Sequence, residues 1–192
     1  MNIGLFGGSF NPIHKGHLAL AQTICNEGLV DELWFLVSPQ NPFKQNLTLL
    51  ADEKRLQLVQ LAIADDNRLK ACDIEFSLPR PSYTWTTLQA LHTQYPEHQF
   101  TLVIGGDNWE KFPHWYHHKD IMATTQVLVY PREGSELHPE EMPQGVSIIQ
   151  APLFPYSSTD VRKAIANGED ASEMLPLAVW QQIQSDKLYQ AI

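Results

Sequence analysis

Residues 7–18, GGSFNPIHKGHL, crowd three glycines, a serine, a proline and two histidines three apart directly behind the first apolar run of the chain. Each supplies something an anion site needs. Gly7 and Gly8 let the backbone approach a ligand with no side chain between. A helix starting near Gly16 presents unpaired N–H groups and the positive end of its dipole. His14 and His17 add two donors spaced to converge on one phosphate chain, and Pro12 stiffens the approach. The generic phosphate fingerprints are missing: the glycines read G-x-x-G-G rather than G-x-G-x-x-G, and KGH is not GK[ST]. A glycine turn carrying two surface histidines is the other reading of the same string.

The elements that must position this loop follow from periodicity. Residues 2–6 (NIGLF) predict a buried strand, and from Gly16 the apolar positions Leu18, Leu20, Ala21, Ile24 and Cys25 form one helical stripe closed by Gly28. Residues 32–37 (ELWFLV) predict a second strand, apolar almost throughout, as a parallel strand covered on both faces should be. Helices are predicted over 51–64 and 84–94, with a strand over 72–76 between them. Strands are predicted over 99–104, 126–130 and 146–150, then two short helices from Ser158 and Leu177 separated by Asn167 and Gly168. The alternation predicts an α/β fold: an open, mainly parallel sheet with right-handed crossovers and helices on both faces. Ligands of such sheets bind beyond the carboxyl ends of the strands, near a switch in strand order. The polar loops after residues 2–6, 32–37 and 99–104 lie there.

Composition narrows the partners. The chain has 192 residues, 43% of them hydrophobic, which predicts a single domain over 1–192. A net charge of −9 argues against nucleic acid or an anionic membrane as partner, so any phosphate site must be built locally. Cys25 and Cys72 have neither CxxC nor paired-ligand spacing, and they read as reduced thiols of a cytoplasmic protein. Residues 1–20 lack the pattern of an export leader, and no apolar run reaches membrane length.

The complete string GSFNPIHKGH resembles the signature of nucleotidyltransferases with an HxGH motif, and its GSFNPIH form is similar to the bacterial nicotinate mononucleotide adenylyltransferases. Four more stretches match that family in order: SPQNPFK at 38–44, RPSYT at 80–84, GGDNWEKFPHW at 105–115 and YSSTDVR at 156–162. Two positions depart from it. Phe43 stands where the family commonly has a histidine before Lys44, and Thr86 where an aspartate is usual.

The resemblance implies a Rossmann-like fold and transfer of the adenylyl group of ATP, accompanied by Mg²⁺, to nicotinate mononucleotide. It implies catalytic roles on the phosphates for His14, His17, Lys44 and Arg162. ATP would also be met by Gly8, Ser9, Phe10, Gly16, Gly105, Asp107, Ser157, Ser158 and Thr159. The acceptor would be met by Ser82, Tyr83, Thr84, Asp107 and Trp115, with main-chain N–H groups near Tyr83 and Thr84 receiving the nicotinate carboxylate. Residue types alone leave other roles open: Ser157 and Asp107 also suit helix caps, and Trp115 also suits a core. The sequence does not decide whether the helix dipole or bound polyphosphate dominates the imidazole pKa.

Three alternatives stand beside this reading. Nicotinamide mononucleotide is a second candidate acceptor, and a nucleotide-binding module without catalysis is a third function. Phosphopantetheine enzymes resemble GTFDPxTxGH, which Asn11 and His14 do not fit. His114, His117 and His118 raise a metal site, but no HExxH frame or neighbouring cysteine accompanies them, and no protein-held metal is expected.

Overall fold

Alternation along two strands dictates a sheet covered on both sides. In β1 (Asn2–Gly8) Ile3 and Leu5 join one apolar cluster while Phe6 joins another. In β2 (Glu32–Val37) Trp34 and Leu36 share the cluster of Ile3, while Leu33, Phe35 and Val37 share that of Phe6. Successive side chains of a strand point to opposite faces, so each face needs its own layer of helices. The computed structural model, which describes residues 1–39 and 49–190, supplies both layers. Phe43 and Lys44 lie outside the described residues.

β3 (Leu69–Cys72), β4 (Gln99–Gly105), β5 (Gln126–Tyr130) and β6 (Val146–Ile148) complete a six-stranded sheet of order β3-β2-β1-β4-β5-β6. All five pairings are parallel. Leu5 of β1 pairs with Trp34 of β2 on one side and Leu102 of β4 on the other. The order reverses between β1 and β4, the place where open α/β sheets bind ligands.

α1 (Lys15–Asn26), α2 (Asp52–Ala62), α6 (Ser158–Ala166) and α7 (Leu177–Ser185) cover the Phe6 face through Ile24, Leu58, Val161 and Val179. α3 (Thr84–Gln94) and α5 (His118–Thr124) cover the other through Leu88, Leu91 and Ile121. Burying each such side chain stabilises the fold by about 1.5–3 kcal/mol. The short α4 (Gly106–Trp109) follows β4 directly. Gly28 after α1 and Gly168 after α6 take positive φ (68° and 75°), which glycine reaches without a Cβ clash.

The structure corrects three predicted segments. The strand expected over 72–76 ends at Cys72, where its pairing with β2 ends, and Ile74–Ser77 is a 3₁₀ turn. Asp73 bends the chain there (φ −106°, ψ 12°), so the alternation of Cys72, Ile74 and Phe76 belongs to a turn that buries Glu75. The strand expected over 146–150 closes at Ile148, and the first strand runs two residues past its predicted end, since Gly7 and Gly8 pair with Leu36 and Val37. Among the described residues no helix is long and apolar enough to cross a membrane.

Candidate active site

The two histidines of the glycine loop cap their own helix. His14 is the N-cap of α1, and its Nδ1 accepts from the N–H of Gly16 at 3.1 Å. His17 returns the contact, its Nδ1 accepting from the N–H of His14 at 3.2 Å. A backbone N–H can only donate, so both Nδ1 atoms hold lone pairs and the neutral rings carry their proton on Nε2. The rings stack at 3.7 Å, and His17 is braced edge-on by Phe10 at 5.2 Å. Burial lowers the pKa of His14 to about 4, helped by the charge of Arg132 and partly opposed by Asp160. Its imidazole is therefore neutral near pH 7. Gly16 packs closely, because a Cβ there would sit 3.0 Å from the His14 ring and 3.1 Å from Phe154 and would press both rings back by a few tenths of an ångström.

α6 is fastened to the same loop. Ser158 Oγ donates to the carbonyl of Pro12 at 2.9 Å, and Arg162 donates to the carbonyl of Asn11 at 2.8 Å and to Thr159 Oγ1 at 3.2 Å. Ser157 is the N-cap: it exchanges contacts with Asp160, whose carboxyl these hydrogen bonds hold below the usual range. The capping role open in the sequence for Ser157 is thus occupied. Arg55, fully buried on α2, ties the loop to the end of β2 by donating to the carbonyls of Ser9 and Ser38, while Asp52 neutralises it.

Two cavities meet above β1 and β4. The larger, 760 Å³, is lined by His14, Gly16, His17, Asp107, Arg132, Ser157 and Asp160. The smaller, 340 Å³, is lined by Gly8, Glu75, Ser82, Tyr83, Thr84, Gly105 and Trp115. Tyr130 borders both. Of the residues lining the smaller cavity, Ser82 and Trp115 each bury a polar atom, Oγ and Nε1, that has no partner among the described residues. Among the described residues no side chain caps α3, and its N-cap Tyr83 and first residue Thr84 line the same cavity, so the uncapped start of the helix lies at a space for a ligand.

The predicted residues are therefore sorted in space. Ser82, Tyr83, Thr84 and Trp115 come together, as do His14, His17 and Ser157. Asp107, expected to serve both substrates, lies in the larger cavity beside Arg132 (3.7 Å), while its neighbour Asn108 lines the smaller one. Gly105 makes room for this, since a Cβ would stand 2.6 Å from Asp107 Oδ1. The Phe10 ring is buried under Gly8 and packs with Phe6 and Phe35, leaving its main chain toward the loop. Trp115 packs on Phe112 at 5.3 Å, so its core role and its cavity role coexist. His117 pairs with Asp120 at 2.6 Å, and among the described residues no group of three or more His, Cys, Asp or Glu converges to hold a metal.

Arg55, Glu75 and Arg132 were not legible in advance. Arg132 carried one available signal, its place just past the carboxyl end of β5.

A family model described as cytidylyltransferase-like matches residues 5–164. The chain is 48% identical over 187 residues to a probable nicotinate-nucleotide adenylyltransferase of Bacteroides fragilis, covering 96% of this chain and 93% of that protein. It is 40% identical over 191 residues to a protein of the same description from Flavobacterium johnsoniae, covering 98% and 99%. Among solved structures, the Plasmodium falciparum nicotinic acid mononucleotide adenylyltransferase complexed with NaAD superposes with a TM-score of 0.81 at 18% identity, covering 98% and 97%. A putative nicotinate-nucleotide adenylyltransferase from Vibrio parahaemolyticus gives 0.75 at 24% identity, covering 100% and 96%. These two likenesses concern the fold.

Proposed function

The chain belongs to the cytidylyltransferase-like family, and from that membership we propose that it transfers the adenylyl group of ATP to nicotinate mononucleotide in NAD biosynthesis, releasing pyrophosphate. The observation that carries this reading is the pairing of cavities. One is lined by two imidazoles whose remaining ring proton sits on Nε2, and the other by an uncapped helix start and an aromatic wall.

ATP occupies the larger cavity and the mononucleotide the smaller. The 5′-phosphate oxygen of the acceptor attacks the α-phosphorus, the bond from that phosphorus to the β-bridging oxygen breaks, and pyrophosphate leaves with the electron pair. A phosphate oxygen is already nucleophilic at pH 7, so the protein's part is alignment and stabilisation of charge as it grows. His14 and His17 donate from Nε2 to the phosphates, and Gly8 lets the acceptor phosphate approach. Ser158 and Thr159 contribute helix-start N–H groups of α6, Gly16 and Ser157, whose own N–H groups serve the caps, line the nucleotide's cavity, and Ser9, Phe10 and Gly105 offer main chain. Lys44 and Arg162 hold the outer phosphates, Lys44 from outside the described residues and Arg162 from beside the carbonyl of Asn11. Asp107 takes ribose hydroxyls on the ATP side.

Mg²⁺ enters with ATP, neutralising phosphate charge. The protein itself would supply few ligands to that cation, since among the described residues no group of acidic, histidine or cysteine side chains converges to hold a metal. The nicotinate carboxylate lies at the start of α3, where the N–H groups near Tyr83 and Thr84 receive it beside Ser82, and Trp115 flanks the ring. An amide would present N–H₂ to those donors and strand them. Cys25 and Cys72 are free thiols raised in pKa by burial, Cys72 to about 11, which supports inert thiols in the cytoplasm.

The test is pyrophosphate release from ATP and Mg²⁺ with nicotinate or nicotinamide mononucleotide side by side. A strong preference for the acid is expected. Equal rates would retain the chemistry and remove the carboxylate contact, and no turnover with either acceptor in a folded, ATP-binding sample would leave a nucleotide-binding module.

A further inference from the structure

Glu75 lines the smaller cavity and is 5% exposed. Its Oε2 accepts from Ser38 Oγ at 2.6 Å and its Oε1 from Thr87 Oγ1 at 2.9 Å. Both donors are neutral. None of the ion pairs among the described residues involves Glu75, and the cavity's described lining contains no lysine or arginine. A carboxylate taken out of water without a countercharge is costly, and two hydroxyl donors offset only part of that cost. If Glu75 merely tied the end of β2 to α3, a neutral amide would bridge the same two hydroxyls with less desolvation. The negative charge therefore has no countercharge among the described residues, and the cavity offers a place for one.

The acceptor proposed above has such a partner. Its ring nitrogen is alkylated by the ribose, so the ring is a pyridinium cation with an anionic carboxylate attached. We propose that Glu75 supplies the countercharge to this cationic ring, so that the smaller cavity selects a zwitterion: carboxylate toward the N-terminus of α3, ring cation toward Glu75 and against the face of Trp115. The inference rests on the pyridine-nucleotide reading and deepens it, by making ring charge a determinant of acceptor choice separate from the carboxylate contact. A neutral ring of the same shape would fill the cavity and leave Glu75 uncompensated.

Nicotinate mononucleotide is compared with its carbon-linked isostere, whose ring nitrogen is not alkylated and carries no charge. The wild-type chain should favour the cationic ring by about tenfold or more, the size of effect a nearby opposite charge exerts. Glu75→Gln keeps the volume and both hydroxyl contacts but removes the charge. It should bring the preference close to one by raising the KM for the cationic acceptor, with the KM for ATP unmoved. Thr87→Val removes one hydrogen bond and keeps the charge, so it should retain the preference. The proposal is overturned if Glu75→Gln keeps the wild-type preference, or if Thr87→Val loses it equally. Calorimetry of the two mononucleotides on the wild-type chain decides the matter even if Glu75→Gln does not fold, since equal affinities there overturn it as well. Failure of the underlying reading looks different: no pyrophosphate from the wild-type chain with either acceptor, in which case the calorimetric ratio alone judges Glu75.

Discussion

A histidine that caps its own helix surrenders one ring nitrogen to the backbone and so has its tautomer chosen for it. His14 and His17 do this reciprocally, and the result is two Nε2–H donors fixed beside the larger cavity. The capping contact of His17 is worth about 1 kcal/mol, as N-terminal caps generally are. The contact proposed for it with a charged transition state would be worth more. His17→Ala should lower kcat by about 10² or more while the fold survives, the loss seen when one such donor is removed. Near wild-type turnover would remove His17 from the chemistry.

His14 adds a pH signature. Its folded pKa of about 4 lies below the ordinary 6.5 because burial penalises the imidazolium. The unfolded chain therefore binds this proton first as pH falls, so the contribution is complete above about 6.5 and is lost between there and 4. His14→Asn, which keeps a capping side chain, should flatten the fall in urea midpoint across that window; an unchanged slope would assign the acid sensitivity elsewhere.

Loops become a site only when something holds them in register, and here the holders are helices. α6 grips the glycine loop through Ser158 and Arg162, and α2 grips both it and the end of β2 through Arg55. Arg55→Ala leaves the carbonyls of Ser9, Ser38 and Leu50 without their donor in a buried place, while Asp52 keeps Arg80, and should destabilise the fold by about 3 kcal/mol or more in urea titration. Arg55→Lys should recover little, because a point charge cannot replace a planar fork that serves separate acceptors. A loss under about 1 kcal/mol would mean water replaces the guanidinium. These partnerships explain what the sequence could disclose. The cap of α6 was legible because Ser157 and Asp160 lie three residues apart, whereas that of α1 was hidden because His14 and His17 read as phosphate donors. Arg55 was not, since its partners Ser9 and Ser38 are 46 and 17 residues away. Glu75 was hidden within an alternation that serves a strand and a turn equally, and Asp107 was assigned to both substrates because only the turn of α4 separates its direction from that of Asn108.

Both helical layers rest on the same central strand, which we propose makes residues 1–192 one folding unit. β1 sends Ile3 and Leu5 into one cluster and Phe6 into the other, so neither face can come apart without exposing the second face of the same backbone. The tryptophans make this measurable. Trp34, Trp85, Trp109 and Trp115 belong to the Ile3 cluster and Trp180 to the other, so fluorescence reports chiefly one face while far-UV dichroism reports the helices of both. In urea the two signals should share one midpoint, and separated midpoints would divide the chain into two units. The larger cavity draws its walls from β1's loop, β5's end and α6, all anchored to that strand or its neighbours. ATP at about 100 times its Kd should therefore raise both signals' midpoints together, by the equivalent of about 2.7 kcal/mol. A shift confined to one signal would mean that the nucleotide stabilises only its own face of the sheet.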